Sequence, residues 1–253
     1  MKMHMLSGGR LRMRRGIYYP GAEKTETFEL PVSCALFKHP QGNVLYDTGC
    51  HPDAAANPEA RWGSTARITV PIFQPEDAVV HQLPKVGLTA DDIDVVVCSH
   101  MHIDHCGCNV FFKNATVVCH ARELEAARAA DSESKGYMRI DWDHPQRFEC
   151  IEAQHDLFGD GRLTLLPAPG HTPGSVIVHA VLDKDGPFLL VSDAIPVQAC
   201  LEQRYCPKVT WDVDKSMIVF EEVARLQKDG ATVLFGHDDA QWQGLRKGAE
   251  FYA

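Results

Sequence analysis

Four side chains able to ligate a metal, His100, His102, Asp104 and His105, fall within one short run, Ser99-His100-Met101-His102-Ile103-Asp104-His105. Imidazole and carboxylate donors together suit zinc or a similar divalent ion. His100 and His102 alternate with Met101, so both can point the same way from an extended or tightly turning loop, and Asp104 and His105 then serve a neighbouring position. Further donors stand at His171, in Ala168-Pro169-Gly170-His171-Thr172-Pro173-Gly174, at Asp193, in Ser192-Asp193, and at His237, in Gly236-His237-Asp238. Seven donors exceed the four that one zinc takes, and they fit two ions if one carboxylate bridges. A purely structural zinc site closes four ligands on one ion, so the larger set argues for catalysis over storage or stapling.

The elements that would carry these residues follow from the pattern around them. Apolar runs at 93–98, 163–167, 188–191 and 232–235 predict four strands, and each ends at one of the donors. A further strand, 43–46, ends in Asp47-Thr48-Gly49, where a carboxylate can orient a metal-bound His or simply form an Asx turn. Residues 27–37 and 43–46 read as a hairpin over His39-Pro40-Gln41-Gly42, with Pro31 placing the first strand at an edge. Helices are expected at 76–86, 121–130 and 214–228, the last with Met217, Phe220, Val223, Ala224 and Leu226 on its inner face. Another strand is expected at 115–119, and 175–181 with 188–191 form a hairpin. Residues 51–75 and 131–147 lack periodicity but carry bulky side chains, as loops over a pocket do, and 54–73, 137–142 and 195–207 are expected to wall it. Strands first, then strands alternating with helices, predict an α+β fold: two sheets packed face to face with helices outside, as one domain over 1–253.

Composition narrows the function classes. The 253 residues carry a formal net charge of −9, which disfavours nucleic acid as the main partner. Arg10, Arg12, Arg14 and Arg15 form a local basic run, read as a solvated edge or loop. No secretion signal or membrane-length apolar run is visible, so a cytoplasmic location and no membrane partner are expected. The nine cysteines lack regular spacing and are expected to be reduced, small core residues.

The run at 100–105 matches the His-x-His-x-Asp-His signature, and the chain resembles the metallo-β-lactamase superfamily. Within it, the chain is most similar to the N-acyl-homoserine lactonases. The likeness runs from Leu30-Pro31-Val32 and Asp47-Thr48-Gly49 through the loops at His171, Ser192-Asp193-Ala194 and Phe235-Gly236-His237-Asp238. The resemblance implies an αββα sandwich with two Zn2+ ions, one on His100, His102 and His171, the other on Asp104, His105 and His237, with Asp193 bridging. It implies a small-molecule lactone substrate, opened by a hydroxide shared between the metals, with Asp104 carrying the proton to the ring oxygen, in a monomer or homodimer. The lactonases usually have a Tyr three residues after the bridging Asp. Here that position is Pro196, so Tyr205, further along, is the candidate phenol, and Ile103 replaces an aromatic residue. A glyoxalase-II-like thioesterase and an iron-dependent persulfide dioxygenase are the alternative activities on the same fold.

Overall fold

The computed structural model describes residues 1–253. Two β-sheets form the centre. The first has seven strands in the order β4-β1-β2-β3-β5-β6-β7. These are β1 (Lys2–Arg14), β2 (Thr27–His39), β3 (Gly42–Tyr46), β4 (Val70–Pro71), β5 (Val95–Val97), β6 (Thr116–His120) and β7 (Phe148–Ile151). The second has five, in the order β12-β11-β10-β9-β8, from β8 (His155–Asp156), β9 (Leu163–Pro167), β10 (Val176–Leu182), β11 (Gly186–Ser192) and β12 (Thr232–Phe235).

Alternation along the strands builds both sides of each sheet. In β5, Val97 faces the other sheet, in a cluster with Met5, Phe37, Val178 and Leu190, while Val96 joins the outer core. The helices are α1 (Pro52–Ala56), α2 (Pro58–Trp62), α3 (Val79–Gln82), α4 (Ala121–Arg128), α5 (Arg139–Trp142), α6 (Gln198–Gln203), α7 (Val213–Lys228) and α8 (Asp239–Gly244). On the outer side of the second sheet, α7 packs Val219, Phe220 and Val223 into the core that holds Leu189 and Val233. Asp212 caps its first turn, accepting from the Lys215 N–H at 3.0 Å. The layers are those of an αββα sandwich.

Strand direction collects the loops. β3, β5, β6 and β7 run parallel, so the ends of β3 and β5 lie side by side. β11 and β12 are parallel, and β9, two antiparallel steps from β11, runs the same way. The segments that follow β3, β5, β9, β11 and β12 therefore open at one end of the sandwich, where parallel β-structure habitually places its chemistry.

Several local expectations are corrected. β2 lies inside its sheet, between β1 and β3, and Pro31 is accommodated because the β1–β2 register shifts between Ser7 and Arg10, opposite it. The arginine run is part of β1: Leu11 and Met13 are buried, while Arg10 and Arg12 reach Asp239 and Glu29 at 2.9 and 3.1 Å. The helix expected at 76–86 is split into a 3-10 turn (Pro75–Asp77), α3 and a second 3-10 turn (Leu83–Val86), the last one starting where Pro84 removes a backbone donor. Ala224 on α7 faces solvent. Helices α1, α2 and α5 lie in stretches read as loops, α6 lies in the expected 195–207 wall, and β7, β8 and α8 lie in stretches assigned no element. No helix is long and apolar enough to cross a membrane.

Candidate metal centre and active-site cleft

The structure brings all seven expected donors together. One group is His100, His102 and His171, another His100, His105 and Asp193, a third Asp104, His105 and His237, with the donor atoms of each within 4.8 Å of one another. Asp193 lies between the outer groups. Its Oδ1 is 2.8 Å from His237 Nε2 and 3.4 Å from His105 Nε2, and its Oδ2 is 3.4 Å from His171 Nε2. Asp104 Oδ2 is 3.6 Å from both His105 Nε2 and His237 Nε2.

A test of metal fit comes from the polar atoms themselves. Nε2 of His100, His105 and His237 and Oδ1 of Asp193 are buried and have no hydrogen-bond partner. Orphaned buried polar atoms are rare and costly in a native fold. Here they crowd together, His237 Nε2 only 2.8 Å from Asp193 Oδ1, without forming regular hydrogen bonds, an arrangement that a shared cation would satisfy. Imidazole nitrogens flanking a carboxylate form a donor set that fits divalent zinc.

The imidazoles of His237 and His105 are fixed from behind. The Pro31 carbonyl accepts from His237 Nδ1 at 2.8 Å, which leaves the lone pair on Nε2. Asp47 accepts from His105 Nδ1 at 2.8 Å, from the Ser99 N–H and hydroxyl at 2.7 Å each, and from the Ser192 hydroxyl at 3.1 Å. Asp47 and Ser192 hold positive φ angles, 58° and 45°, at the ends of β3 and β11. For non-glycine residues this is a strained turn, found where function demands it. Gly49, with φ 69°, lets this loop lie against β1: a Cβ there would stand 2.4 Å from Gly8 Cα.

On the other side of the centre, Glu123 of α4 is fully buried. It accepts from the Met101 N–H at 3.0 Å, the Thr172 hydroxyl at 2.7 Å and the Gly174 N–H at 3.1 Å. One carboxylate thus ties the loop after β5 to the loop after β9. The Tyr137 ring meets His102 edge-on at 4.8 Å. The Cys106 thiol lies 3.3 Å from the His102 carbonyl, and none of the nine free cysteines belongs to the donor groups.

Burial, then neighbouring imidazoles, holds His100 and His102 well below the usual histidine range, and burial lowers His171. These rings are neutral donors. Burial also opposes charge on His105 and His237, but acidic neighbours, Asp104 and Asp193 for both rings, override it and raise them. Burial favours neutral Asp193, yet His237, His105 and His171 hold it well below the usual carboxylate range.

A cavity of about 570 Å³ opens over the centre. His102, Asp104, His171 and Asp193 lie at its floor, and its walls include Ile17, Ile103, Val209 and Trp211. Thr65, Ile68 and Thr69 come from the expected 54–73 segment and Tyr137 from 137–142. The buried ion pair between Arg61 and Asp141, 2.6 Å apart, fastens these two segments together. Segment 195–207 does not line the cavity, and Val209 and Trp211 stand where it was expected. Tyr205 is half-buried against the core, outside the lining. Glu123 and Tyr18 are site residues that sequence reasoning missed, and Tyr137 was expected only as part of the pocket wall.

Residues 27–246 match the family model of the metallo-beta-lactamase superfamily. The chain belongs to that superfamily. This superfamily member is 31% identical over 261 residues to N-acyl homoserine lactonase AttM of Azorhizobium caulinodans, covering 100% of this chain and 98% of the relative. It superposes with a TM-score of 0.89, at 26% identity and over 99% and 98% of the two chains, on a single-site mutant of Bacillus thuringiensis AiiA with N-decanoyl-L-homoserine bound at the active site. It matches equally well, at TM-score 0.89 and 26% identity over 99% and 98% of the two chains, an N-acyl homoserine lactone hydrolase with the product N-hexanoyl-L-homoserine bound at the catalytic metal centre. The metallo-β-lactamase-fold protein described here is accordingly an enzyme, a hydrolase.

Proposed function

We propose that this hydrolase opens the ring of a small lactone, with an N-acyl homoserine lactone as the substrate type. It would hold one divalent ion, zinc by donor chemistry, on His100, His102 and His171. A second would sit on Asp104, His105 and His237, with Asp193 bridging. The observation that carries the reading is the convergence of these donors, four of their atoms buried and unpartnered, at the floor of an amphiphilic cavity. Two such ions, when bound, supply ionised water at neutral pH and polarise a carbonyl.

The chain's own residues do the rest. Asp104 lines the cavity and its side chain is 13% exposed, so it can take a proton from the attacking water and give it to the ring oxygen as the acyl C–O bond breaks. Water adds to the carbonyl carbon, the ring oxygen leaves as a hydroxyl, and a hydroxy acid results. The apolar walls suit an acyl chain, in keeping with the names of the relatives.

The test is a metal count and an acid-release titration on a panel of lactones, thioesters and a persulfide. About two zinc ions per chain and opening of the lactones support the reading. Cleavage of thioesters with no lactone opened makes it a thioesterase, and a single iron with oxygen uptake on a persulfide makes it a dioxygenase.

A further inference from the structure

The chain has six tyrosines, and their surroundings separate them. Tyr46 donates to the Val176 carbonyl at 2.8 Å between the sheets. Tyr252 pairs with Met3 in a β-bridge, and Tyr19 packs on Phe28 and Arg15. Tyr205 is outside the cavity lining. Two remain, Tyr137 and Tyr18, and both line the cavity. The Tyr137 hydroxyl is sealed from solvent and lies near Glu123, the carboxylate behind the ligand loops. Tyr18 points differently. Its ring centroid is 6.3 Å from that of His237, and it lines the same cavity as Asp104 and Asp193. The only hydrogen-bond partner of that hydroxyl is the Met13 sulfur at 3.8 Å. A thioether is a weak acceptor. Tyr18 is therefore a buried phenol, 4% exposed, beside the metal donors and without a strong acceptor of its own.

We propose that Tyr18 donates a hydrogen bond to the substrate oxygen on which negative charge develops, exchanging the Met13 sulfur for that oxygen. The phenol keeps its proton throughout. This rests on the lactonase reading above. Tyr18 stands on the turn after β1, at the cavity wall. A donor that meets charge only in the transition state lowers the barrier without tightening ground-state binding.

The test is Tyr18→Phe, which keeps the ring and removes only the hydroxyl, beside Tyr205→Phe, each purified with zinc. The expected result for Tyr18→Phe is a kcat on a lactone about 10- to 100-fold lower, KM within about threefold, and zinc content and melting midpoint as in the parent. A kcat within about twofold of the parent would overturn the inference, as would a loss confined to Tyr205→Phe. A Tyr18→Phe loss accompanied by lost zinc would overturn it too, by making the role structural. A parent protein that opens no lactone sinks the proposed function itself, a different result from an active parent whose Tyr18→Phe variant is equally active.

Discussion

Asp47 accepts a hydrogen bond from Nδ1 of His105 at 2.8 Å, while the opposite ring nitrogen of His105 faces Asp193. The carboxylate thus fixes the tautomer and ring orientation of one donor, and through Ser99 and Ser192 it also joins the loops after β5 and β11. Such outer partners are worth about 10- to 100-fold in metal affinity. Asp47→Ala should weaken zinc binding by that factor, measured by titrating zinc into metal-free protein. Asp47→Asn keeps an oxygen acceptor and tolerates the positive φ, so it should lose less. Unchanged affinity in Asp47→Ala would refute the role.

His102→Ala removes a donor from the His100, His102 and His171 group. Bound zinc should fall from about two ions to about one or fewer, and lactone turnover should essentially vanish. Elemental analysis and the acid-release assay check this, and retention of both metal and turnover would dismantle the proposed site.

Glu123→Ala leaves the Met101 and Gly174 N–H groups and the Thr172 hydroxyl without their buried acceptor. Each loss costs on the order of 1 kcal/mol or more. The melting midpoint of the metal-free protein should fall by about 5 °C or more. Zinc affinity should fall with it, because the loops carrying His100, His102 and His171 are no longer joined. A stable variant with parental affinity would show that the tie is dispensable.

His51 gives the acid side of stability a testable sign. Its Nδ1 accepts from the Asp53 N–H at 3.1 Å, capping α1, and its ring stacks on Phe111. Burial first, then Arg61, lowers its pKa to about 4. The unfolded chain, titrating near 6.5, binds more protons between those values. Stability from this group is therefore present above pH 6.5 and is lost as pH falls toward 4. His51→Asn keeps the cap without titrating, so the parent's melting midpoint should drop relative to the variant between about pH 6.5 and about pH 4.5. Parallel curves would contradict the assignment.

The legible part of the site was the part compressed into one stretch. His100 to His105 announce themselves because donor types and spacing are local, and His171, Asp193 and His237 each follow an apolar strand. Asp47 was half legible, since an acid before Thr48-Gly49 reads equally as a turn. Glu123 was not legible at all. It sits in a short helix among Arg122, Glu125 and Arg128, as solvent-facing acids do, and its partners lie 22 to 51 residues away. Tyr18 reads as part of a polar turn until Met13, His237 and Asp193 are placed around it. β1 was missed because four arginines outweighed the period-two alternation with Leu11 and Met13.

The parallel pairing of β11 with β12 has a consequence for how the enzyme is made. On the ribosome, His100, His102, His171 and Asp193 emerge well before His237. A chain stalled before residue 232 lacks β12, and with it the third member of the Asp104, His105 and His237 group. In the two-metal reading, such a fragment lacks a donor of the second ion together with the core residues Val233, Leu234 and Phe235. The proposed two-metal centre is therefore closed last along the chain, by the edge strand β12 that seats beside β11.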